Sequence, residues 1–221
     1  MVLALGALLM LQAGDPIAAL DREIDGRSYR FCHAFTDPYP AATPSYRLGR
    51  VAPKSVRIMN GYPKRNLPRG TIVLLAGERD GYVPIFDPRG VGVEGCVPAS
   101  SVTMLDKEAP ADGWSLWAGH WEKISQRRRD KDDLTIRRIS GHLHVEGNAS
   151  WAYPAGGENI GEISADSVPR GGRLEAITGQ DSDCTVTFML VGVHLIAFDP
   201  NAPICNGHNV SFSGVYRKTR N

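Results

Sequence analysis

The chain has 221 residues and a mass of 24.0 kDa, more than the commonest single domain, so its length admits one large domain or two small ones. Apolar residues make up 42% and charged residues 22%, close to globular averages, which excludes wholesale disorder, a fibrous repeat and a multi-span membrane protein. Lys and Arg number 25 against 24 Asp and Glu, leaving +1, too balanced for a chain whose chief partner is a phosphate backbone, so no nucleic-acid partner is expected.

In chain order, residues 2–11 (VLALGALLML) are an uncharged apolar run that ends in small residues before Pro16. This is the pattern of a secretory leader, so residues 1–13 are expected to be a signal peptide and the mature chain to begin near Gly14. Only Met1 precedes the run, so a basic n-region is missing and the natural start is expected upstream. A buried apolar helix is the rival reading. The run falls short of the roughly 20 apolar residues of a spanning helix, so no stable membrane insertion is expected after cleavage. The first cysteine is Cys32, too late for a lipid anchor at the cleavage point. Residues 14–54 are Pro-, Ala- and Tyr-rich and are expected to be an extended lead-in packed on the strands after it.

Residues 55–105 alternate short apolar runs with turns: Val56-Arg57-Ile58, Gly61-Tyr62-Pro63, then Leu67-Pro68-Arg69-Gly70-Thr71 leading into Ile72-Val73-Leu74-Leu75. With Gly81-Tyr82-Val83, Gly95-Cys96-Val97 and Ser100-Ser101-Val102, this stretch of about fifty residues resembles bacterial SH3-like domains. Tyr82 and Cys96 stand where that family carries tryptophan. The resemblance implies a small barrel that binds cell-wall peptides or protein segments and does no chemistry, with Tyr62 and Tyr82 as candidate binding residues. The rival reading places Tyr82 and the apolar strands in a core.

Residues 106–113 (DKEAPADG) are polar, contain a proline and lack periodicity, as a linker does. Residues 114–221 hold eight strand-like runs that begin near Trp117, Leu134, Leu143, Asn159, Arg173, Cys184, Gly192 and Val210. In the third run Leu143, Val145, Gly147, Ala149 and Trp151 alternate with His142, His144, Glu146, Asn148 and Ser150, which requires one dry and one wet face. In the eighth, Val210, Phe212, Gly214 and Tyr216 are expected to face inward. The fold class is therefore all-β: an SH3-like small barrel plus a C-terminal eight-stranded antiparallel up-and-down barrel, like lipocalins or avidins in architecture only. The ending, from Cys205 to Arg217, resembles that of exported bacterial β-domains of no assigned activity.

Cys32, Cys96, Cys184 and Cys205 are an even set with no C-x-x-C pair, so disulfides are expected in an exported chain, not a zinc site. Of three possible pairings, the organisation favours Cys32 with Cys96 and Cys184 with Cys205. Cys184 opens the sixth strand and Cys205 lies after the seventh, and in a meander those points share a rim. On the loop-entropy model the two bridges contribute about 4 and about 3 kcal/mol.

His142 and His144 point to one strand face with Glu146 next in line, a pattern that metal sites use and that solvated histidines also produce. A third ligand would have to come from the His120–Glu122 region or from His194. No Gly-x-Ser-x-Gly elbow and no phosphate-cradling loop are present. Residues 126–133 (QRRRDKDD) read as an anion-binding loop or, as the plainer alternative, a solvated hairpin tip. Trp114, Trp117 and Trp121 could stack on sugars or a peptide, although at least one is expected in the barrel core. Asn148 and Asn209 open Asn-x-Ser sequons, which mean little in a bacterial chain.

These readings lead to one expected function: a non-enzymatic periplasmic or secreted binding protein that recognises a cell-envelope component, peptidoglycan or a protein segment. Its expected binding residues are Tyr62, Tyr82, Trp114, Trp117 and Trp121, with no cofactor and no metal. The alternatives are a metal-dependent hydrolase centred on His142 and His144, and a structural envelope subunit.

Overall fold

A computed structural model of the chain describes residues 32, 34–35, 46–52, 54–59, 65–89, 93–105, 113–124, 132–153, 156–178, 184–206 and 209–219. The expected signal peptide, the 106–112 part of the linker, Tyr62 and residues 126–131 lie outside the described residues. Within them the fold is all-β, as expected.

The first half forms β1 (Arg47–Val51), β2 (Val56–Arg57), β3 (Asn66–Leu67), β4 (Ile72–Leu75), β5 (Tyr82–Asp87), β6 (Val93–Pro98) and β7 (Val102–Leu105). Five of these make an antiparallel sheet in the order β6-β5-β4-β1-β7, and β2 and β3 pair separately. Part of the expected lead-in is thus a strand, because β1 fills the place between β4 and β7. The β4–β5 hairpin closes on Asp80-Gly81, both at positive φ, between reciprocal hydrogen bonds of Arg79 and Tyr82. That is the primed turn whose twist suits paired strands.

One face of this sheet buries Val51, Val73, Leu75, Val83, Ile85, Val93 and Val97 in a core of its own. From the other face, Leu74, Ala76 and Phe86, with Phe35 of the lead-in, meet Ile124, Ile196 and Val215 of the second half. Burial on both faces explains why β4 reads Ile-Val-Leu-Leu instead of alternating. The two halves are therefore joined by a shared apolar cluster as well as by the chain. Phe35 is anchored there by its backbone N–H, which donates to Glu94 Oε1 at 2.6 Å, and by rings of Tyr46 and Phe86 at 4.9 and 5.7 Å.

The second half begins with a short helix, α1 (Trp114–Trp117), followed by β8 (Gly119–Lys123), β9 (Asp133–Ile139), β10 (His142–Ala152), β11 (Glu158–Ser167), β12 (Arg173–Thr178), β13 (Cys184–Val191) and β14 (His194–Phe198). A second short helix, α2 (Ala202–Cys205), precedes β15 (Gly214–Lys218). The eight strands are ordered β11-β10-β9-β8-β15-β14-β13-β12, so the first and last strands pair and only the β11–β12 seam lacks a ladder. Those two strands lie side by side, and the sheet is nearly closed into a barrel. Its interior holds Trp121, Leu134, Leu143, Val145, Phe188, Leu195 and Tyr216 among others. The alternation in β10 puts Leu143, Val145 and Ala149 inside, as expected.

Three strand starts lie two or more residues past expectation, β14 among them, which begins at His194 because Gly192 sits in a turn at φ 64°. Trp117 does not open a strand; it ends α1, whose turn drives the indole into the barrel mouth, and the strand starts at Gly119. The eighth strand starts at Gly214 and not at Val210, because the Phe212 N–H is taken by the Asp199 carboxylate at 3.0 Å. Val210 and Phe212 still face the core, from an irregular segment.

Gly147 on β10 is a close-approach position. A Cβ there would lie 2.5 Å from the Asp133 carbonyl oxygen and 2.5 Å from Leu134 Cδ2. Gly147→Ala is expected to destabilise the fold by about 2 kcal/mol, the scale of an overpacked core, read as a lowered midpoint in urea unfolding at unchanged slope.

Candidate binding face

Both barrel ends are closed by side chains. At the α1 end Trp117 is 3% and Trp121 1% exposed, and the Trp121 indole N–H donates to the Trp117 carbonyl at 2.9 Å. Lys218 caps this end: its ammonium donates to the Leu116 carbonyl at 3.0 Å and stands 5.0 Å from the Trp121 ring centroid. Burial lowers its pKa. Trp114 is half-buried against the core, with the Arg138 guanidinium 5.2 Å over its ring. Of the three tryptophans expected to stack on a ligand, two are core and only Trp114 keeps an accessible part.

The opposite end carries a buried polar cluster. Lys123 pairs with Asp132 at 2.6 Å and also donates to the Ser211 carbonyl at 3.0 Å. Asp132 Oδ1 accepts the Ser150 N–H at 2.8 Å. Asp132 therefore belongs to the interior and not to a solvated hairpin tip, because Lys123 projects inward from β8 to meet it. Asp199 is 1% exposed. Burial pushes its carboxyl up to about 6, although hydrogen bonds from Phe212 N and Asn206 Nδ2 and the nearby Lys123 charge oppose the rise. The Tyr216 hydroxyl donates to the Phe212 carbonyl at 2.8 Å, and burial raises its pKa well above the phenol range.

A set of polar side chains in contact with one another lies on the outer face of β9, β10 and β11. Arg137 on β9, His144 on β10 and Asp166 on β11 are cross-strand neighbours in one row. His144 Nδ1 is 2.6 Å from Asp166 Oδ1 and its Nε2 is 3.1 Å from Glu146 Oε1, so each ring nitrogen meets a carboxylate. Arg137 completes the array at 2.7 Å from Glu146 Oε2, and His142 Nε2 is 3.4 Å from Asp166 Oδ1. The Asp166 hydrogen bond, reinforced by Glu146, raises the His144 pKa above its ordinary value. Asp166 is correspondingly held low by His144.

The third metal ligand sought from the sequence is not brought to His142 and His144. His120 on β8 shares a hydrogen bond with Thr135 Oγ1 at 3.2 Å. His194 lies on β14, four strands from β10 in the sheet order, and burial lowers its pKa. Among the described residues no group of three or more His, Cys, Asp and Glu side chains is arranged to hold a metal ion. Tyr82 is half-buried against Met59 and the Cys32–Cys96 bridge. Both expected disulfides form, with Cα separations of 4.9 Å for Cys32–Cys96 and 5.5 Å for Cys184–Cys205. Among the described residues no helix is long and apolar enough to cross a membrane.

The sequence reading missed Asp199, Lys123 paired with Asp132, and the Arg137 and Asp166 partners of His144. For Asp199 the available signal was an aspartate opening a Pro-Asn turn, where such side chains accept nearby backbone N–H groups. In comparisons with protein-family models, curated proteins and solved structures, no match was found.

A proton on His144 is held by both carboxylates, so stability from this array is present below the unfolded histidine pKa and is lost as pH rises through the higher folded value. An NMR titration of the ring is expected to show a midpoint above about 6.5, and Asp166→Asn is expected to bring it down.

Proposed function

We propose that the chain is a non-enzymatic binding protein of the periplasm or the secreted fraction that recognises a cell-envelope component, peptidoglycan or a protein segment. One observation carries this reading: the barrel interior is filled by its own side chains, while the outer face of β9–β11 presents charges already paired with one another. A small-molecule site needs a concave space. A flat face of pre-positioned charges instead suits a macromolecular partner, because little side-chain freedom is lost on docking. Envelope peptides carry carboxylates and amines together, and this face carries both signs within one row. Trp114 under Arg138 supplies an aromatic edge at the rim nearest that row.

Two disulfides with no free cysteine agree with an oxidising, extracytoplasmic setting. The SH3-like reading of residues 55–105 belongs to the same proposal, supported by the sequence resemblance and by Tyr82, half-buried at the start of β5 beside a buried disulfide.

The test is co-sedimentation of the purified chain with peptidoglycan sacculi, in parallel with a pull-down from envelope extract. Salt-sensitive retention by one of them is expected, reduced at least about threefold by Arg137→Glu, since a rim charge acts on encounter and pairing. Retention by neither would overturn the proposal. So would hydrolytic turnover with stoichiometric zinc, both lost in a His142→Ala/His144→Ala variant.

A further inference from the structure

The net charge of +1 hides an uneven distribution along the chain. Residues 38–77 hold seven Lys and Arg and no Asp or Glu. The acids of the first sheet do not offset them. Asp87 and Glu94 are buried, the first paired with Arg89 at 2.8 Å and the second accepting the Phe35 N–H. Glu78 and Asp80 are exposed, but they lie in the β4–β5 connection, past the far end of β4.

Folding draws five of the basic residues to the other end of that strand. Arg50 on β1 is the cross-strand partner of Ile72, the first residue of β4. Arg69 lies in the turn just before β4, where the neighbouring Gly70 N–H donates to the Val51 carbonyl at 2.8 Å. Lys54 stands between β1 and β2. Arg57 and Arg65 stand on successive rungs of the β2–β3 pairing: Arg57 is opposite Asn66, and the Ile58 N–H donates to the Arg65 carbonyl at 2.9 Å. All five side chains are exposed, and among the described residues none is paired with a carboxylate. Val51, Ile58 and Leu67 are buried in one cluster beneath them, which fixes the backbone that carries the charges. Ile72, beside Arg50, is 39% exposed.

We propose that this end of the first sheet docks the chain on an anionic lipid bilayer, with Arg50, Lys54, Arg57, Arg65 and Arg69 at the headgroups and Ile72 at the acyl boundary. Like charges gathered without internal partners leave their field available to an external anion. A soluble polyanion would answer the charge and leave Ile72 in water. An anionic lipid interface takes both, since basic side chains are drawn to its headgroups while apolar ones enter the boundary beneath. The surface belongs to a different sheet from the Arg137–Asp166 array, so lipid docking and envelope recognition through that array stand or fall separately.

Co-sedimentation of the full oxidised chain with vesicles tests this. Vesicles of equal parts phosphatidylcholine and phosphatidylglycerol are expected to retain it, and vesicles of phosphatidylcholine alone are not. Retention is expected to fall at least about tenfold as the Debye length drops from about 10 Å in about 0.1 M salt to about 3 Å in about 1 M. Arg57→Gln/Arg65→Gln is expected to lose about fivefold for each charge removed. Its urea midpoint is expected to stay unchanged, because both side chains are exposed. Arg170→Gln/Arg173→Gln removes the same charge from exposed positions of the second half and is expected to keep wild-type retention. Should the Arg57/Arg65 variant not fold, Lys54→Gln/Arg69→Gln takes its place with the same loss per charge expected. No preference for the anionic vesicles, or equal losses from the first and second halves, would overturn the proposal. So would binding of soluble polyphosphate without retention by vesicles, which would assign the surface to a polyanion.

Discussion

The apolar cluster between the two sheets organises the rest of the molecule. Ile196 and Val215 point out of the barrel, and an open barrel would present them to water; Leu74, Phe86 and Phe35 cover them instead. Burying side chains of this size is worth about 1.5–3 kcal/mol each, and this contact leaves β4 and β15 buried on both faces, with Val73, Leu75 and Tyr216 packed on the side away from it. It also decides which barrel face remains exposed. β14 and β15 are covered in part, and Arg137, His144, Glu146 and Asp166 stand on other strands, β9 to β11.

The molecule uses charge in two ways. On the outer face the pairs are solvated, so each contributes little to stability and their value lies in fixing orientation. Inside the barrel end, Lys123, Asp132 and Asp199 are surrounded by core residues, and each has hydrogen-bond partners drawn from backbone groups. Removing one partner there would strand a buried charge, a far larger cost than losing a surface pair. Lys123 and Asp199 also take up the Ser211 carbonyl and the Phe212 N–H in the segment before β15, where no strand ladder does so.

Closure at both ends shapes the functional reading. Trp117 seals one mouth under Lys218, and Val210 with Phe212 seal the other over Gly161. With its ends and interior occupied, the barrel serves as a rigid support for its outer surface, where paired charges and Trp114 are held in place. Binding through a surface and chemistry within a cavity make opposite demands on packing, and the proposed function rests on the first.

The class, the eight-strand meander and the inward set Leu143, Val145 and Ala149 could all be read from the sequence, because strand alternation and turn residues are local properties. The Cys184–Cys205 pairing followed from the same strand order, and Cys32–Cys96 from the division of the chain into two domains. Residues 47–51 did not read as a strand, since β1 owes its place to partners on both sides and not to its own pattern. The sequence placed at least one of the clustered tryptophans in the barrel core without saying which; the helical turn at the barrel mouth and the indole bond to the Trp117 carbonyl make both Trp117 and Trp121 core. Asp132 and Asp199 looked like exposed acids in polar turns, and their burial depends on Lys123, Ser150 and Phe212, far from them in the chain or across a loop. A residue's periodicity is set by its neighbours in sequence, whereas its contact with water is set by whatever the fold lays over it, and that second property existed only once the two sheets had come together.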